Sequence, residues 1–137
     1  MAEKHLTLDE ANRLLPRLQP ILEQLIAIRR EMAANQRQME GLRAHVRGNG
    51  ATAEGRALAK LKEELESMAQ RLREGIGQIH GFGCLVKDLD TGLIDFPALR
   101  QGQEVLLCWK LGEKTIGFWH STEEGFSGRK PLGGEFD

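Results

Sequence analysis

Two stretches of the chain repeat apolar residues every seven positions, and this repeat constrains the fold more than any other feature. The first seam comprises Leu18, Ile21, Leu25, Ile28, Met32, Asn35, Met39, Leu42 and Val46. The second comprises Leu58, Leu61, Leu65, Met68, Leu72 and Ile79, with Gly75 replacing one apolar side chain. Spacings that alternate between three and four residues are typical of helices packed along a coiled-coil-like seam. Asn35 is the polar member, and such a residue often fixes helix register at some loss of stability.

The ends of these helices are also marked. Thr7-Leu8-Asp9-Glu10 forms a capping box, so a helix is predicted to begin here. Pro16 and Pro20 each remove a backbone donor, which predicts a short opening helix, a bend and then a long helix. Gly48-Asn49-Gly50 ends that helix, since these residues adopt left-handed conformations at low cost. The result is an antiparallel hairpin with arms of about 27 residues, or about 40 Å.

The composition changes after the second helix, from Leu, Arg and Glu to Gly, β-branched and aromatic residues. Strands are predicted at 82–87, 93–96, 104–110 and 115–120, with a turn at Asp88–Gly92 and a loop after Ser121. The predicted class is α+β, a long antiparallel helical hairpin followed by a small antiparallel β module. The predicted division is residues 1–80 for the hairpin, with its kinked first helix, and 81–137 for the module with its C-terminal loop.

The last two predicted strands suggest a register. If Lys110 pairs with Thr115, then Leu107 faces Phe118 and Val105 faces His120. This register places Cys108 on the opposite face from His120, and it likewise separates Trp109 from Trp119. Cys108 is therefore interpreted as a buried, unreactive thiol, because no base lies beside it to activate it.

Charge is distributed unevenly along the chain. The 137 residues carry a formal net charge of −1, which argues against a wholly basic nucleic-acid-binding protein. Residues 29–62 nevertheless hold eight Arg or Lys and three Glu, a local +5, which leaves −6 for the remainder. Arg43, Arg47 and Arg56 at the predicted hairpin tip are candidate partner-binding residues. Because no aromatic residue is interleaved to stack on bases, a solvated helix end or a protein partner is favoured over nucleic acid.

Several features favour a cytoplasmic protein with no membrane partner. No apolar run approaches the roughly 18 residues that span a bilayer, and the polar N-terminus lacks a signal-peptide core. The two cysteines, Cys84 and Cys108, are expected to be free thiols in a reducing compartment. Their spacing matches no metal-binding signature, so no cofactor is predicted.

A set of short motifs resembles a known family. The set comprises Gly92-Leu93-Ile94-Asp95-Phe96-Pro97, Leu107-Cys108-Trp109, Leu111-Gly112-Glu113, Phe118-Trp119-His120, Gly125-Phe126 and Arg129, with Leu8-Asp9-Glu10-Ala11-Asn12 and Leu15-Pro16 near the start. Together they resemble the bacterial domain-of-unknown-function 2203 (DUF2203) family over nearly the whole chain. The resemblance implies a bacterial setting and draws attention to the C-terminal motifs, but it implies no reaction.

The C-terminal motifs contain the candidate site residues. The candidate ligand- or metal-binding set is Asp95, Glu113, His120, Glu123 and Arg129, with Glu124 and Cys108 nearby. A histidine among carboxylates suits a metal site or an acid–base pair. The alternative is structural, in which His120 bonds locally at a strand end and the glutamates are solvated. Arg129 either holds an anion or pairs with Asp95 or Glu113.

Asp90-Thr91-Gly92 matches the catalytic triplet of aspartic proteases, but the polar flanking residues favour a turn. Two functions therefore remain open from the sequence. The first is a non-enzymatic interaction or assembly protein that forms a homodimer through its seamed helices. The alternative is a small-ligand or metal-binding module, with an enzyme among its possibilities, whose site lies in the β module.

Overall fold

The computed structural model describes residues 5–45, 52–133 and 136. Within these ranges the helices are α1 (Leu8–Arg43) and α2 (Ala53–Gly81), and the strands are β1 (Leu85–Asp88), β2 (Leu93–Arg100), β3 (Gln103–Lys110), β4 (Phe118–Ser121) and β5 (Lys130–Pro131). A 3₁₀ turn, Phe126–Gly128, lies between β4 and β5. Two long helices followed by an antiparallel sheet confirm the predicted α+β class.

The start of α1 follows the predicted capping box. The Glu10 amide donates to Thr7 Oγ1 over 3.1 Å, and the Thr7 amide donates to Glu10 Oε1 over 2.9 Å. The prediction of a separate short opening helix is wrong, because α1 runs through both Pro16 and Pro20. These prolines lie four residues apart on one exposed side of the helix. Water can therefore reach the carbonyls that lose their amide donors.

The seam residues pack α1 against α2. Its buried members are Leu18, Leu25, Ile28, Asn35, Met39, Met68 and Ile79. Asn35 Nδ2 donates to the Leu61 carbonyl of α2 over 3.0 Å, so the polar seam residue bonds directly between the helices. Val46 and the Gly48–Gly50 break lie outside the described residues.

The five strands form one antiparallel sheet in the order β1-β2-β3-β4-β5. One sheet face carries Ile94, Phe96, Ala98, Val105, Leu107 and Trp109, which share a single core with helix residues such as Leu18 and Leu22. The strand β2 continues through Pro97, beyond its predicted end at Phe96. Proline fits because the short β1 pairs only as far as Asp95 and needs no amide donor from Pro97, whose carbonyl accepts from the Leu6 amide over 2.8 Å.

The predicted register of β3 and β4 is wrong by one residue. His120 pairs with Leu106, and Phe118 pairs with Cys108. Residues 115–117 do not extend the β3 pairing, because the Ile116 amide instead donates to Asn12 Oδ1 of α1. Since a slip by one residue exchanges the faces of a strand, His120 and Cys108 lie on the same face.

Two further expectations are wrong. Trp119 pairs with Leu107, so Trp109 and Trp119 share a sheet face rather than lying on opposite faces. The segment after Ser121 is also not entirely loop, since β5 adds a short fifth strand beside β4. No helix among the described residues is long and apolar enough to cross a membrane.

Candidate functional site

Three polar side chains lie together on the sheet face that points away from the helices. Asp95 comes from β2, Cys108 from β3 and His120 from β4, and Asp95 pairs directly with Cys108. Each residue is 1% exposed. One donor atom from each, an oxygen, a sulfur and a nitrogen, lies within 4.8 Å of the other two. We call these three residues the β-face cluster.

His120 contacts an acceptor through each ring nitrogen. Nδ1 lies 2.8 Å from the Ser121 carbonyl, and Nε2 lies 3.1 Å from Asp95 Oδ1. A neutral imidazole has one N–H, so it can donate to one of these partners but not to both. If the N–H is on Nε2, the Asp95 contact is a hydrogen bond and the Ser121 contact has no donor. If the N–H is on Nδ1, the Asp95 contact needs a further proton or a metal ion.

The cysteines are buried thiols in different surroundings. Burial raises the pKa of Cys108, while the neighbouring Arg129 acts in the opposite direction. Burial also raises the pKa of Cys84 to about 12, and its sulfur donates to the Ile79 carbonyl over 3.3 Å. In the absence of a metal ion both thiols are protonated near neutral pH, which does not suit a nucleophile.

An ion pair adjoins the β-face cluster. Arg129 donates to both carboxylate oxygens of Glu113, over 2.7 Å and 3.1 Å. Burial alone would raise the pKa of Glu113, but the Arg129 hydrogen bond and the Lys110 amide lower it overall. Burial alone would lower the pKa of Arg129, but its bond to Glu113 raises it overall. Both groups are thus charged, and they neutralise each other.

The guanidinium of Arg129 also joins this ion pair to the cluster. Its Nη2 lies 3.3 Å from the Cys108 carbonyl, and its carbon lies 4.1 Å from the centre of the Phe118 ring and 4.7 Å from that of Phe126. Such stacking on aromatic faces is a property of arginine that lysine does not reproduce. The segment that carries Arg129 is therefore fastened over the edge of the cluster.

The structure unites part of the predicted candidate set. Asp95 and His120 lie in the cluster, and Glu113 and Arg129 form the adjoining pair. Glu123 is exposed and is not part of the cluster. Cys108 belongs to the cluster although the predicted register placed it on the other face. Cys108 lies two residues from Leu106, which pairs with His120, so the two side chains share a sheet face. With the correct register, this relationship would have identified Cys108 from the sequence.

Glu124, rather than Glu123, makes structural contacts nearby. Its Oε1 accepts from Lys130 Nζ over 2.6 Å and from the Ser121 amide over 3.1 Å. The Lys130 hydrogen bond is the largest cause that lowers the pKa of Glu124 to about 2. These bonds join the end of β4 to β5 and leave Glu124 outside the cluster.

A second candidate surface is the outer part of the hairpin, the described residues between 29 and 67, which we call the arm. Within this part, only Asn35, Met39 and Gly55 are buried. The seam residues Met32, Leu42, Leu58, Leu61 and Leu65 are half-buried. Of the predicted partner-binding residues, Arg43 and Arg56 are exposed, whereas Arg47 lies outside the described residues.

The arrangement of the two regions limits their chemistry. The β-face cluster offers nitrogen, oxygen and sulfur donors that suit a transition metal. Its 1% exposure keeps a substrate away from these atoms in this conformation. The arm, in contrast, is accessible to a partner, because exposed arginines lie beside half-buried leucines.

These features define a class of α+β protein in which a helical hairpin and an antiparallel sheet share a core, with a buried Asp–Cys–His cluster on the outer sheet face. The chain belongs to the DUF2203 family of uncharacterised conserved proteins, whose model matches residues 4–132. This confirms the resemblance drawn from the motifs. The comparison with curated proteins and the comparison with solved structures gave no match.

Proposed function

We propose that this is a non-enzymatic interaction and assembly protein that forms a homodimer through its arm. The observation that carries the proposal is that the apolar seam residues of the arm are incompletely buried. Met32, Leu42, Leu58, Leu61 and Leu65 remain only half-buried even though α1 and α2 are packed together. Two helices bury one side of such a seam, whereas a bundle of four buries it fully.

Charge favours a second copy of the chain as the occupant of this surface. Residues 29–62 carry +5 and the rest of the chain carries −6. An antiparallel arrangement of two hairpins places the basic stretch 29–62 of each copy beside the acidic remainder of the other. Leu65 lies between two surface grooves, one lined by Lys62 and the other by Arg43. The contact between the two copies would form there.

The β-face cluster supports a role without catalysis. Its three side chains are closed to solvent, and the thiol of Cys108 is kept protonated by burial unless a metal is bound. The free state of Cys84 and Cys108 supports a reducing compartment. We accordingly place the protein in the bacterial cytoplasm.

Sedimentation equilibrium tests the dimer. At micromolar concentration the full chain should sediment at twice its mass of 15.3 kDa. Added salt should weaken the dimer, because exposed charges are screened beyond a Debye length of about 8 Å at physiological ionic strength. A monomer at all concentrations would overturn the proposal.

A charge-reversed variant locates the contact. Arg43→Glu combined with Lys62→Glu should raise the dissociation constant at least about tenfold, which corresponds to about 1.4 kcal/mol. Lys114→Glu is the matched control, since Lys114 is exposed and lies outside the arm. If the control weakens the dimer as much as the double variant does, the contact is not made by the arm.

A further inference from the structure

We propose that Asp95, Cys108 and His120 together bind one divalent transition-metal ion of the zinc type. The site is independent of the dimer proposed above, because it lies in the sheet and uses none of the arm residues. It also differs from the candidate set that the sequence indicated, since Cys108 replaces Glu113, Glu123 and Arg129 as a ligand.

The first argument is the orientation of the His120 ring. Nδ1 lies 2.8 Å from the Ser121 carbonyl, and it must donate there for that contact to be a hydrogen bond. A metal-binding histidine usually donates its other N–H to a carbonyl or carboxylate in this way, which fixes the ring. The lone pair of Nε2 is then directed at Asp95 Oδ1, 3.1 Å away. A metal ion between these atoms turns a repulsive contact into two bonds.

The second argument is the set of donor atoms. Zinc binds cysteine sulfur, histidine nitrogen and aspartate oxygen at about 2.3, 2.0 and 2.1 Å. In a tetrahedral site, pairs of such atoms are roughly 3.5 Å apart. The three donor atoms lie within 4.8 Å of one another, so they need to approach by up to about 1.3 Å, given these bond lengths. Small side-chain rotations on three fixed strands supply such a change.

The third argument is charge. One divalent ion bound by a thiolate, a carboxylate and a neutral imidazole gives a site with no net charge. The adjoining pair of Glu113 and Arg129 is neutral by itself. Metal binding therefore leaves no uncompensated charge in the buried face.

The inferred role of the ion is structural. Its ligands come from three adjacent strands, so one ion fastens β2, β3 and β4 at a single point. Three protein ligands leave one tetrahedral position to a water molecule. The burial of all three ligands keeps a substrate from that position, which favours a structural role. Because the ion binds the native sheet and not the separated strands, it raises the stability of the fold.

The direct test uses the full chain without any substitution. Metal is removed with a chelator, and Co²⁺ is added as a spectroscopic substitute for Zn²⁺. We expect uptake of one ion per chain, a thiolate-to-cobalt charge-transfer band and a higher melting temperature. Zn²⁺ displacement should remove the band and keep the higher melting temperature, whereas chelation should reverse both. Absence of the thiolate band, or binding weaker than micromolar, would overturn the proposal. His120 and Asp95 would then be joined by a hydrogen bond alone.

The two cysteines provide a matched pair of variants. Cys108→Ser should remove the thiolate band and weaken Co²⁺ binding by more than about 100-fold, the upper end of losses seen for outer-shell partners. Cys84→Ser should keep both, since Cys84 donates to the Ile79 carbonyl and lies outside the cluster. A band that is lost in Cys84→Ser and kept in Cys108→Ser would overturn the assignment. If either variant fails to fold, the unsubstituted chain still decides the question.

Discussion

The imidazole of His120 on β4 and the carboxylate of Asp95 on β2 meet over the intervening strand β3, with Nε2 and Oδ1 3.1 Å apart. Both side chains are at most 2% exposed. The strand between them contributes Cys108, which pairs with Asp95 in the sheet. A contact of this kind joins residues 25 positions apart in the sequence. Its energy in the metal-free protein can be separated from any contribution of an ion.

We expect His120→Ala and Asp95→Ala each to destabilise the chelator-treated protein by about 3–5 kcal/mol, because either change leaves a buried polar partner uncompensated. The double variant should cost less than the sum of the singles, with a coupling energy of about 0.5–3 kcal/mol. Urea denaturation of the four proteins measures this cycle. Additive losses would show that the two side chains do not interact.

The ion pair of Glu113 and Arg129 predicts a pH dependence of stability. The pKa of Glu113 is lowered below its usual 4.5 in the folded state, so folding is favoured when this carboxyl is ionised. Its contribution is fully present above pH 4.5, the ordinary value, and is lost as the pH falls through the lowered pKa. Glu113→Gln should therefore be less stable than the unsubstituted protein near neutral pH, and the difference should shrink in acid.

Glu123→Gln is the control for this measurement, because Glu123 is exposed nearby and is not part of the ion pair. Its acid unfolding should follow that of the unsubstituted protein. A second variant, Arg129→Lys, keeps the charge but loses the bidentate geometry and the stacking on Phe118. If Arg129→Lys matched the unsubstituted stability at neutral pH, charge alone would explain the pair.

The helices were predictable because their signals are local. The capping box at Thr7 and the seven-residue spacing involve neighbours within one or two turns, and the structure confirms the capping box and the helical hairpin. The prolines were misinterpreted because their effect depends on exposure. Whether the freed carbonyls meet water is a property of the packed molecule, and Pro16 and Pro20 happen to face outward.

The sheet was less predictable because register is set by distant contacts. The predicted pairing of Lys110 with Thr115 failed since Asn12, in α1, accepts the Ile116 amide and draws this segment out of the sheet. Nothing in the local alternation of residues 115–120 indicates that bond. One residue of slip was enough to separate Cys108 from His120, so the sequence pointed to Asp95 and His120 but missed the sulfur between them.

Asn35 leads to a prediction about the arm. Its Nδ2 bonds to the Leu61 carbonyl, but its buried Oδ1 has no partner among the described residues. An unsatisfied buried oxygen costs about 1–3 kcal/mol, more than the roughly 1 kcal/mol that one hydrogen bond contributes. Asn35→Leu should therefore raise the melting temperature while it broadens the distribution of oligomeric states, since the polar residue fixes register.

Thermal unfolding and sedimentation of the same samples check this expectation. Gln38→Leu is the matched control, because Gln38 of the same helix is exposed and does not line the grooves beside Leu65. It should change the melting temperature little. A drop in the melting temperature of Asn35→Leu would instead identify the bond to Leu61 as one that the hairpin requires.

Two glycines of α2 offer a test of how tightly the hairpin is packed. A Cβ at Gly75 would lie 2.3 Å from Leu25 Cδ2, whereas a Cβ at Gly77 would have no atom within 4 Å. Leu25 is 3% exposed, so it has little room to move away. Replacing glycine with alanine inside a helix contributes roughly 0.5–1 kcal/mol of stability when nothing else changes.

Gly77→Ala should show that gain alone. Gly75→Ala adds the cost of overpacking, typically 1–3 kcal/mol, so its net effect should be a loss of up to about 2 kcal/mol. Urea denaturation of both variants gives the comparison within one helix. Equal gains in the free energy of unfolding for the two variants would mean that the Leu25 side chain moves aside at no cost. The helices α1 and α2 would then not be closely packed around Gly75.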